Sequence, residues 1–161
     1  MKKKQSGQGS SIQKIIIAVD FSPASTRAFA YTVDLAEQLS AEVIAVFVKD
    51  ADDLAIAIRQ KLPVRQSDVG KLKKKVENVL RGKFQSMIGE TRTERDIRFV
   101  IAKGHPAREV LKIAAKQKAD LIVSGTRGHS LVSSLILGST ARELIVHSTC
   151  PVLTFNARSG R

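Results

Sequence analysis

The stretch that decides the fold is "KIIIAVDFSPASTRAFAYTVDLAEQLSAEVIAVFV", which runs from Lys14 to Val48. It opens with the β-branched run 14–20, and a continuous apolar run of this kind is typical of a strand buried on both faces. Ser22 then stands where a helix N-cap is expected, with Pro23 at the first helical position. Apolar residues follow at helical spacing and form the predicted apolar stripe of this helix: Ala24, Ala28, Tyr31, Leu35 and Leu39. A second apolar run at 42–48 completes a strand–helix–strand unit, which indicates parallel strands joined by a crossover helix.

The same alternation continues along the rest of the chain. Strands are predicted at 96–102, 120–124 and 151–155, and helices at 69–88, 105–117 and 140–147. The helix stripes comprise Leu72, Val76, Val79, Leu80 and Phe84 in the first of these helices, and Val110, Leu111 and Ala114 in the second. Residues 49–67 give no clear pattern, and the alternating strand at 96–102 is expected at a sheet edge. Strands that alternate with helices predict an α/β fold: an open five-stranded parallel sheet with helices on both faces.

Composition narrows the class of protein. The chain has 161 residues, of which 43% are hydrophobic and only 4% aromatic, so the core must be aliphatic. No apolar run reaches the eighteen or so residues of a membrane span, and no signal-peptide pattern follows the charged start. Cys150 is the single cysteine, which excludes an internal disulfide and suggests a small buried residue. We expect a cytoplasmic protein with no membrane association.

The formal net charge of +12 is concentrated in three segments. Residues 1–14 carry +4, residues 71–83 carry +5, and residues 157–161 carry +2, so the rest is close to neutral. We therefore expect a flexible basic tail at 1–13, one folded domain at 14–156 and a basic tail at 157–161. The simplest interpretation of residues 71–83 is a helix whose charged face is exposed to solvent. The alternative is nucleic-acid binding, which would be weak, nonspecific and salt-sensitive.

The glycine-rich segment "GTRGHSLVSSLILGSTARE", Gly125 to Glu143, is the candidate binding site. In an open parallel sheet, ligands lie beyond the carboxyl ends of the strands, where Asp20 and Gly125 are predicted to fall. Gly125 and Gly128 would allow a tight turn and a close backbone approach, and Gly138 precedes a helix N-terminus that suits a phosphate. The spacing from Thr140 to Glu143 also fits a capping box, which would leave the Ser139 hydroxyl free. The alternative is that these glycines only form turns.

The spacing G-x2-G-x9-G-S at Gly125, Gly128, Gly138 and Ser139 resembles the ATP-binding signature of the universal stress protein family. "KIIIAVDFSPAS", "GHPAREVLKIAAKQKADLIVSGTRGHS" and "STCPVLTF" resemble other parts of that family, so the likeness covers roughly residues 14–156. It implies a Rossmann-like sheet of strand order 3-2-1-4-5 and a homodimer, which we expect to pair through the C-terminal strand. It also implies ATP or AMP as the ligand, with Mg²⁺ accompanying the nucleotide.

The resemblance assigns roles to nine residues. Asp20 would contact the ribose or adenine end, and the backbone of Val48 would meet the adenine. The phosphates would be held by Gly125, Thr126, Arg127, Gly128, Gly138, Ser139 and Thr140. No catalytic residue and no protein metal site are predicted, because His105, His129 and His147 match no metal spacing. The sequence predicts a regulatory nucleotide-binding protein, with a slow ATP hydrolase as the alternative.

Overall fold

The computed structural model describes residues 11–49, 69–91, 93–126 and 137–156. Along the chain lie β1 (Lys14–Ala18), α1 (Pro23–Leu39), β2 (Glu42–Lys49), α2 (Val69–Gly89), β3 (Arg98–Lys103), α3 (Pro106–Gln117), β4 (Leu121–Gly125), α4 (Ser139–His147) and β5 (Val152–Phe155). The predicted order of strands and helices is confirmed, with boundaries that shift by one or two residues. The ambiguous segment 49–67 lies outside the described residues, apart from Lys49.

The five strands form one parallel sheet in the order β3-β2-β1-β4-β5, as predicted. β1 is central, and its Ile16 pairs in register with Ile44 of β2 and Ile122 of β4. All three isoleucines are fully buried or nearly so, because helices cover both faces of these strands. β3 and β5 form the two edges of the sheet, which confirms the edge position expected for the strand after residue 96.

Two apolar layers fix the helices on opposite faces of the sheet. On one face, Phe29 of α1 and Phe84 of α2 pack edge to face at a centroid distance of 5.6 Å. On the other face, Val110 of α3 and Leu144 of α4 pack against Ile16. The two helices that precede β3, α1 and α2, thus cover one face of the sheet, and the two that follow it, α3 and α4, cover the other. The direction of winding therefore reverses between β1 and β4.

Two of the predicted helix stripes are partly wrong. On α1, Ala24 and Ala28 are buried as expected, but Tyr31 is 48% exposed and Leu39 is 41% exposed. The buried face of α1 continues instead through Phe29, Val33 and Ala36. Tyr31 lies at the margin of this face, where its ring contacts that of Phe155 at 5.0 Å. Leu39 is the last residue of the helix and projects beyond the sheet.

On α2, Leu80 and Phe84 are buried, whereas Val79 is 54% exposed. The reason is geometric, because one residue turns a helix by about 100° and Val79 therefore points sideways when Leu80 faces the sheet. Cys150 is half-buried, not buried, because it lies two residues before the edge strand β5, where it packs against the outside of the second core layer. No helix in the described part of the chain is both long and apolar enough to cross a membrane.

Candidate functional site

A pocket of about 220 Å³ opens at the carboxyl edge of the sheet, between the ends of β1 and β4. This is the position at which the winding reverses, where open α/β sheets bind their ligands. The lining residues are Ala18, Val19, Asp20, Ser25, Val46, Val48, Pro106, Val110, Ser124, Gly125, Thr126, Gly138, Ser139, Thr140 and Ala141. Among these described residues, Asp20 is the only acidic one, and none is a lysine or an arginine.

The β1–α1 turn holds Asp20 at one side of the pocket. The Ser22 N–H donates to Asp20 Oδ1 at 2.9 Å, and the Asp20 N–H donates to Ser25 Oγ at 3.3 Å. Between them, Phe21 adopts φ 60°, in the left-handed region that a bulky residue seldom enters. Its ring packs on Phe47 at 5.3 Å, which stabilises the unusual backbone and so fixes the direction of the neighbouring carboxylate.

The opposite wall is the junction between β4 and α4. The Thr126 N–H donates to the carbonyl oxygen of Phe155 at 2.6 Å, and the Gly138 N–H donates to the carbonyl oxygen of Thr126 at 2.8 Å. These two bonds join the ends of the glycine-rich segment to each other and to β5. They place the first turn of α4 directly beside the end of β4.

The N-terminus of α4 differs from the predicted capping box. The helix begins at Ser139 with Gly138 as its N-cap, so Thr140 is the second helical residue and does not cap the helix. No side chain caps this end, and Glu143 pairs instead with His105, whose Nε2 lies 3.6 Å from Glu143 Oε1. The capping box is wrong because Gly138 adopts the extended N-cap conformation itself, at φ −59° and ψ 151°.

This helix end brings unpaired backbone donors to the pocket. The first intrahelical bond of α4 runs from the Arg142 N–H to the Gly138 carbonyl at 3.0 Å. The N–H groups of Ser139, Thr140 and Ala141 therefore precede the hydrogen-bond ladder, and all three residues line the pocket. Together with the positive end of the helix dipole, they favour an anion.

The start of α3 contributes a second helix end to the same pocket. Pro106, its first residue, lines the pocket, and its N-cap His105 makes no side-chain capping bond. The contact between His105 and Glu143 ties this end to α4. The positive field in the described part of the pocket thus comes from backbone dipoles, while the single carboxylate stands on the β1 side.

Gly125 lines the pocket, but its missing Cβ serves the packing of α1. A Cβ at this position would lie 3.1 Å from the Cβ of Ala24 and 3.1 Å from the backbone nitrogen of Ser25. The sequence predicted that this glycine gives room to a ligand. The structure instead shows that it lets the first turn of α1 approach β4.

Seven of the nine predicted site residues lie together in this pocket: Asp20, Val48, Gly125, Thr126, Gly138, Ser139 and Thr140. Arg127 and Gly128 lie outside the described residues. The sequence analysis missed Ser25, Val46 and the α3 residues Pro106 and Val110. Pro106 could have been predicted from the sequence, because it begins a helix that follows a parallel strand. Helices that follow parallel strands all begin at the same edge of the sheet. Within the described ranges, no cluster of three or more metal-ligating side chains occurs.

Comparison with known proteins identifies the family. Residues 11–156 match the model of the universal stress protein family. The chain belongs to the universal stress protein family. It is similar to universal stress protein MJ0531 of Methanocaldococcus jannaschii, with 33% identity over 143 residues that cover 88% of this chain and 80% of that protein.

Solved structures of other universal stress proteins share the fold. MJ0577 of M. jannaschii is 23% identical, with a TM-score of 0.72 over 94% of this universal stress protein and 99% of that chain. A universal stress protein in complex with cAMP is 22% identical, with a TM-score of 0.63 over 92% of this chain and all of that one. One from Archaeoglobus fulgidus in complex with dAMP is 19% identical, with a TM-score of 0.53 over 90% of this chain and 98% of that one.

Proposed function

We propose that this universal stress protein is a regulatory protein that binds ATP or AMP in the pocket at the carboxyl edge of the sheet. The observation that carries the proposal is the uncapped N-terminus of α4, whose first three N–H groups line that pocket. Such a helix end favours phosphate through its donors and its dipole. The adenine nucleotides bound by two proteins of the same fold, cAMP and dAMP, support adenine as the base.

The distribution of charge in the pocket sets the orientation of the ligand. Phosphates would bind at Gly138, Ser139 and Thr140, beside Thr126, with the predicted Arg127 and Gly128 completing that end. They would avoid Asp20, because two negative groups repel each other in a partly enclosed site. The carboxylate instead suits the hydroxyl or amino groups of a nucleoside, for which it is a strong acceptor.

The base would lie against the apolar part of the lining. Val46 and Val48 of β2 and Val110 of α3 line this part of the pocket. Contact between an aromatic base and such an apolar surface is favourable. Most ligand pockets combine apolar walls of this kind with a few polar groups. The backbone of Val48 at the end of β2 would then read the adenine edge.

Binding is favoured over hydrolysis as the activity of this pocket. Phosphoryl transfer to water needs charge neutralisation and a group that orients the attacking water. Among the described lining residues, Asp20 is the only candidate base, and we assign it to the nucleoside end. Mg²⁺ would accordingly enter with ATP, held by the phosphates.

The test is calorimetric titration of the full chain with MgATP, AMP, adenosine and, as a control for the base, GTP. We expect ATP and AMP to bind and GTP to bind more weakly. Gly138→Val should abolish ATP binding, because a branched side chain would crowd the N–H groups of α4. The variant should keep its circular dichroism spectrum, since valine readily adopts φ −59° and ψ 151°.

Gly82→Val is the matched control for this substitution. A Cβ at Gly82 meets no atom within 4 Å, and the residue lies on α2, away from the pocket. It should therefore bind ATP as the wild type does. If the wild-type protein takes up neither ATP nor AMP at millimolar concentration, the proposed function is refuted and the glycines serve only the fold.

A further inference from the structure

Helix α2 carries a concentration of positive charge that the nucleotide pocket does not use. Between Val69 and Gly89 the sequence holds six basic residues and one acidic residue, Glu77. The basic residues are Lys71, Lys73, Lys74, Lys75, Arg81 and Lys83, and every one of them is exposed.

The packing of α2 fixes which of these charges face outward. Leu80, Phe84 and Met87 are buried against the sheet. With about 100° between successive residues, four of the cations lie about 90° or more around the helix from the centre of this apolar face. We call the set Lys71, Lys74, Lys75 and Arg81 the α2 cationic stripe. It spans eleven residues of helix, with about 15 Å between its ends.

Two of the remaining charges of the helix contact residues of neighbouring elements. Glu77 lies 3.8 Å from Lys49 Nζ, at the carboxyl end of β2. Lys83 Nζ lies 5.9 Å from the centre of the Phe21 ring. The one acidic residue of α2 therefore contacts Lys49 of the sheet, and the helix keeps a large excess of positive charge.

The charge pattern of α2 works against the stability of the helix itself. The helix has no acidic residue in its first turn and no basic residue in its last turn, and Lys71 lies in the first turn. Lys71 and Lys75 also stand at i and i+4, where like charges repel. Both features are unfavourable for an isolated helix, because cations are destabilising near the positive end of its dipole.

Helix α3 shows the opposite arrangement and provides an internal comparison. It also has exposed cations, including Arg108 and Lys112, but Glu109 lies in its first turn and Lys116 in its last. Glu109 further pairs with Lys112 at 3.7 Å. The charges of α3 are thus placed as helix stability favours, whereas those of α2 are not. An anionic partner would compensate for the unfavourable placement on α2.

The shape and composition of the stripe favour one kind of anionic partner. The apolar side chains Leu80, Phe84 and Met87 of α2 are buried against the sheet. Among the described side chains of this helix, Val79 is the one large apolar side chain that is exposed, which is too little apolar surface for insertion into a membrane. Its one aromatic residue, Phe84, is also buried, so the described helix offers no ring for stacking on the bases of a single strand. A group of cations along the outer side of a helix suits the phosphate backbone of a duplex.

We propose that the α2 cationic stripe binds the phosphate backbone of duplex nucleic acid without sequence specificity. DNA and RNA duplexes share this chemistry. Binding at the stripe is independent of the nucleotide pocket, which lies between β1 and β4.

The test is fluorescence anisotropy of the full chain with a labelled DNA duplex of about 20 base pairs, titrated at several salt concentrations. The stripe variant carries Lys71→Gln, Lys74→Gln, Lys75→Gln and Arg81→Gln. The control variant carries Arg108→Gln, Lys112→Gln, Lys116→Gln and Lys118→Gln, which removes the same number of exposed charges from α3 and its C-cap. Both variants keep all the basic residues of the two termini.

We expect the stripe variant to bind the duplex at least about tenfold more weakly than the wild type at about 0.1 M salt. The plot of log affinity against log salt should also become less steep, with the magnitude of its negative slope smaller by about 3 to 4. The control variant should change far less, and two duplexes of unrelated sequence should bind alike. Gly138→Val should bind the duplex as the wild type does, so that failure of the nucleotide site is distinguishable from failure of the stripe. An RNA duplex of the same length tells which duplex is preferred.

Three outcomes would overturn the proposal. The first is equal weakening by the stripe and control variants, which would assign the affinity to net charge alone. The second is full affinity in the stripe variant. The third is tighter binding of the wild type to phosphatidylserine vesicles or to a single-stranded oligonucleotide than to the duplex. All substituted side chains are exposed, and circular dichroism checks that both variants are folded.

Discussion

Gly125 shows how a single position can look like a ligand contact in the sequence and serve packing in the structure. We predict that Gly125→Ala lowers the free energy of unfolding by about 1 kcal/mol, because the new Cβ would press on Ala24 and on the backbone of Ser25. These neighbours are a buried methyl group and a backbone atom, so they cannot rotate away. Urea denaturation measures the change. Gly82→Ala, where the Cβ has open space, should instead stabilise the protein, and equal stability of the two variants would contradict this assignment.

Asp20 is the residue that we assign to the nucleoside end of the ligand. Asp20→Ala should weaken adenosine and ATP to a similar degree, by about 1.5 to 3 kcal/mol for a lost hydrogen bond to a charged group. Calorimetry with both ligands provides the measurement. Asp20→Asn is the control, because its side-chain oxygen can still accept the Ser22 N–H bond now made by Oδ1. A loss confined to ATP would assign the carboxylate to the phosphate end and refute the orientation.

At the scale of elements, the positive surface charge of α2 lowers the stability of the helix. We predict that Lys71→Glu raises the free energy of unfolding by about 0.3 to 1 kcal/mol, since a carboxylate in the first turn complements the helix dipole. Thermal denaturation at low salt checks this, and the gain should shrink as salt is added. Lys116→Glu on α3 is the mirror control and should be destabilising, because Lys116 lies in the last turn of its helix. A destabilised Lys71→Glu protein would contradict the account of α2.

The elements themselves were predictable from the sequence, while their details were not. Continuous apolar runs marked β1, β2 and β4, because both faces of these strands are covered. Ser22 was correctly expected to cap α1, since its side chain accepts the Ser25 N–H at 3.3 Å. The capping box at Thr140 failed, because spacing alone does not show where the chain leaves the extended conformation. That point is set by the bond from Gly138 to Thr126, which depends on the position of β5.

At the scale of the whole molecule, the edge strand β5 is the expected site of dimerisation. All four residues from Val152 to Phe155 are half-buried, and within the described part of the chain β5 pairs with β4 alone. The neighbouring helix α4 exposes Ile145 and Val146, at 48% and 65%. An unpaired edge beside exposed apolar side chains favours association with a second copy.

We predict that Val152→Lys converts a homodimer to a monomer in sedimentation velocity. The charge would lie on the edge where two copies of β5 are proposed to meet, and desolvating it there is unfavourable. Arg98→Glu on β3 is a control at the opposite edge and should leave the dimer intact. A wild-type protein that sediments as a monomer would contradict the prediction.

The sequence by itself determined the fold class, the family resemblance and the edge of the sheet at which the site lies. These follow from local patterns, because apolar runs and helical periods depend on neighbours along the chain, and parallel strands must end at a common edge. Only the tertiary structure decided which described residues share the pocket and what Gly125 and Gly138 do there. Pro106, Val110 and Ser25 enter it from elements far apart in sequence. The role of Gly125 depends on how closely α1 approaches β4, a distance that no local pattern records.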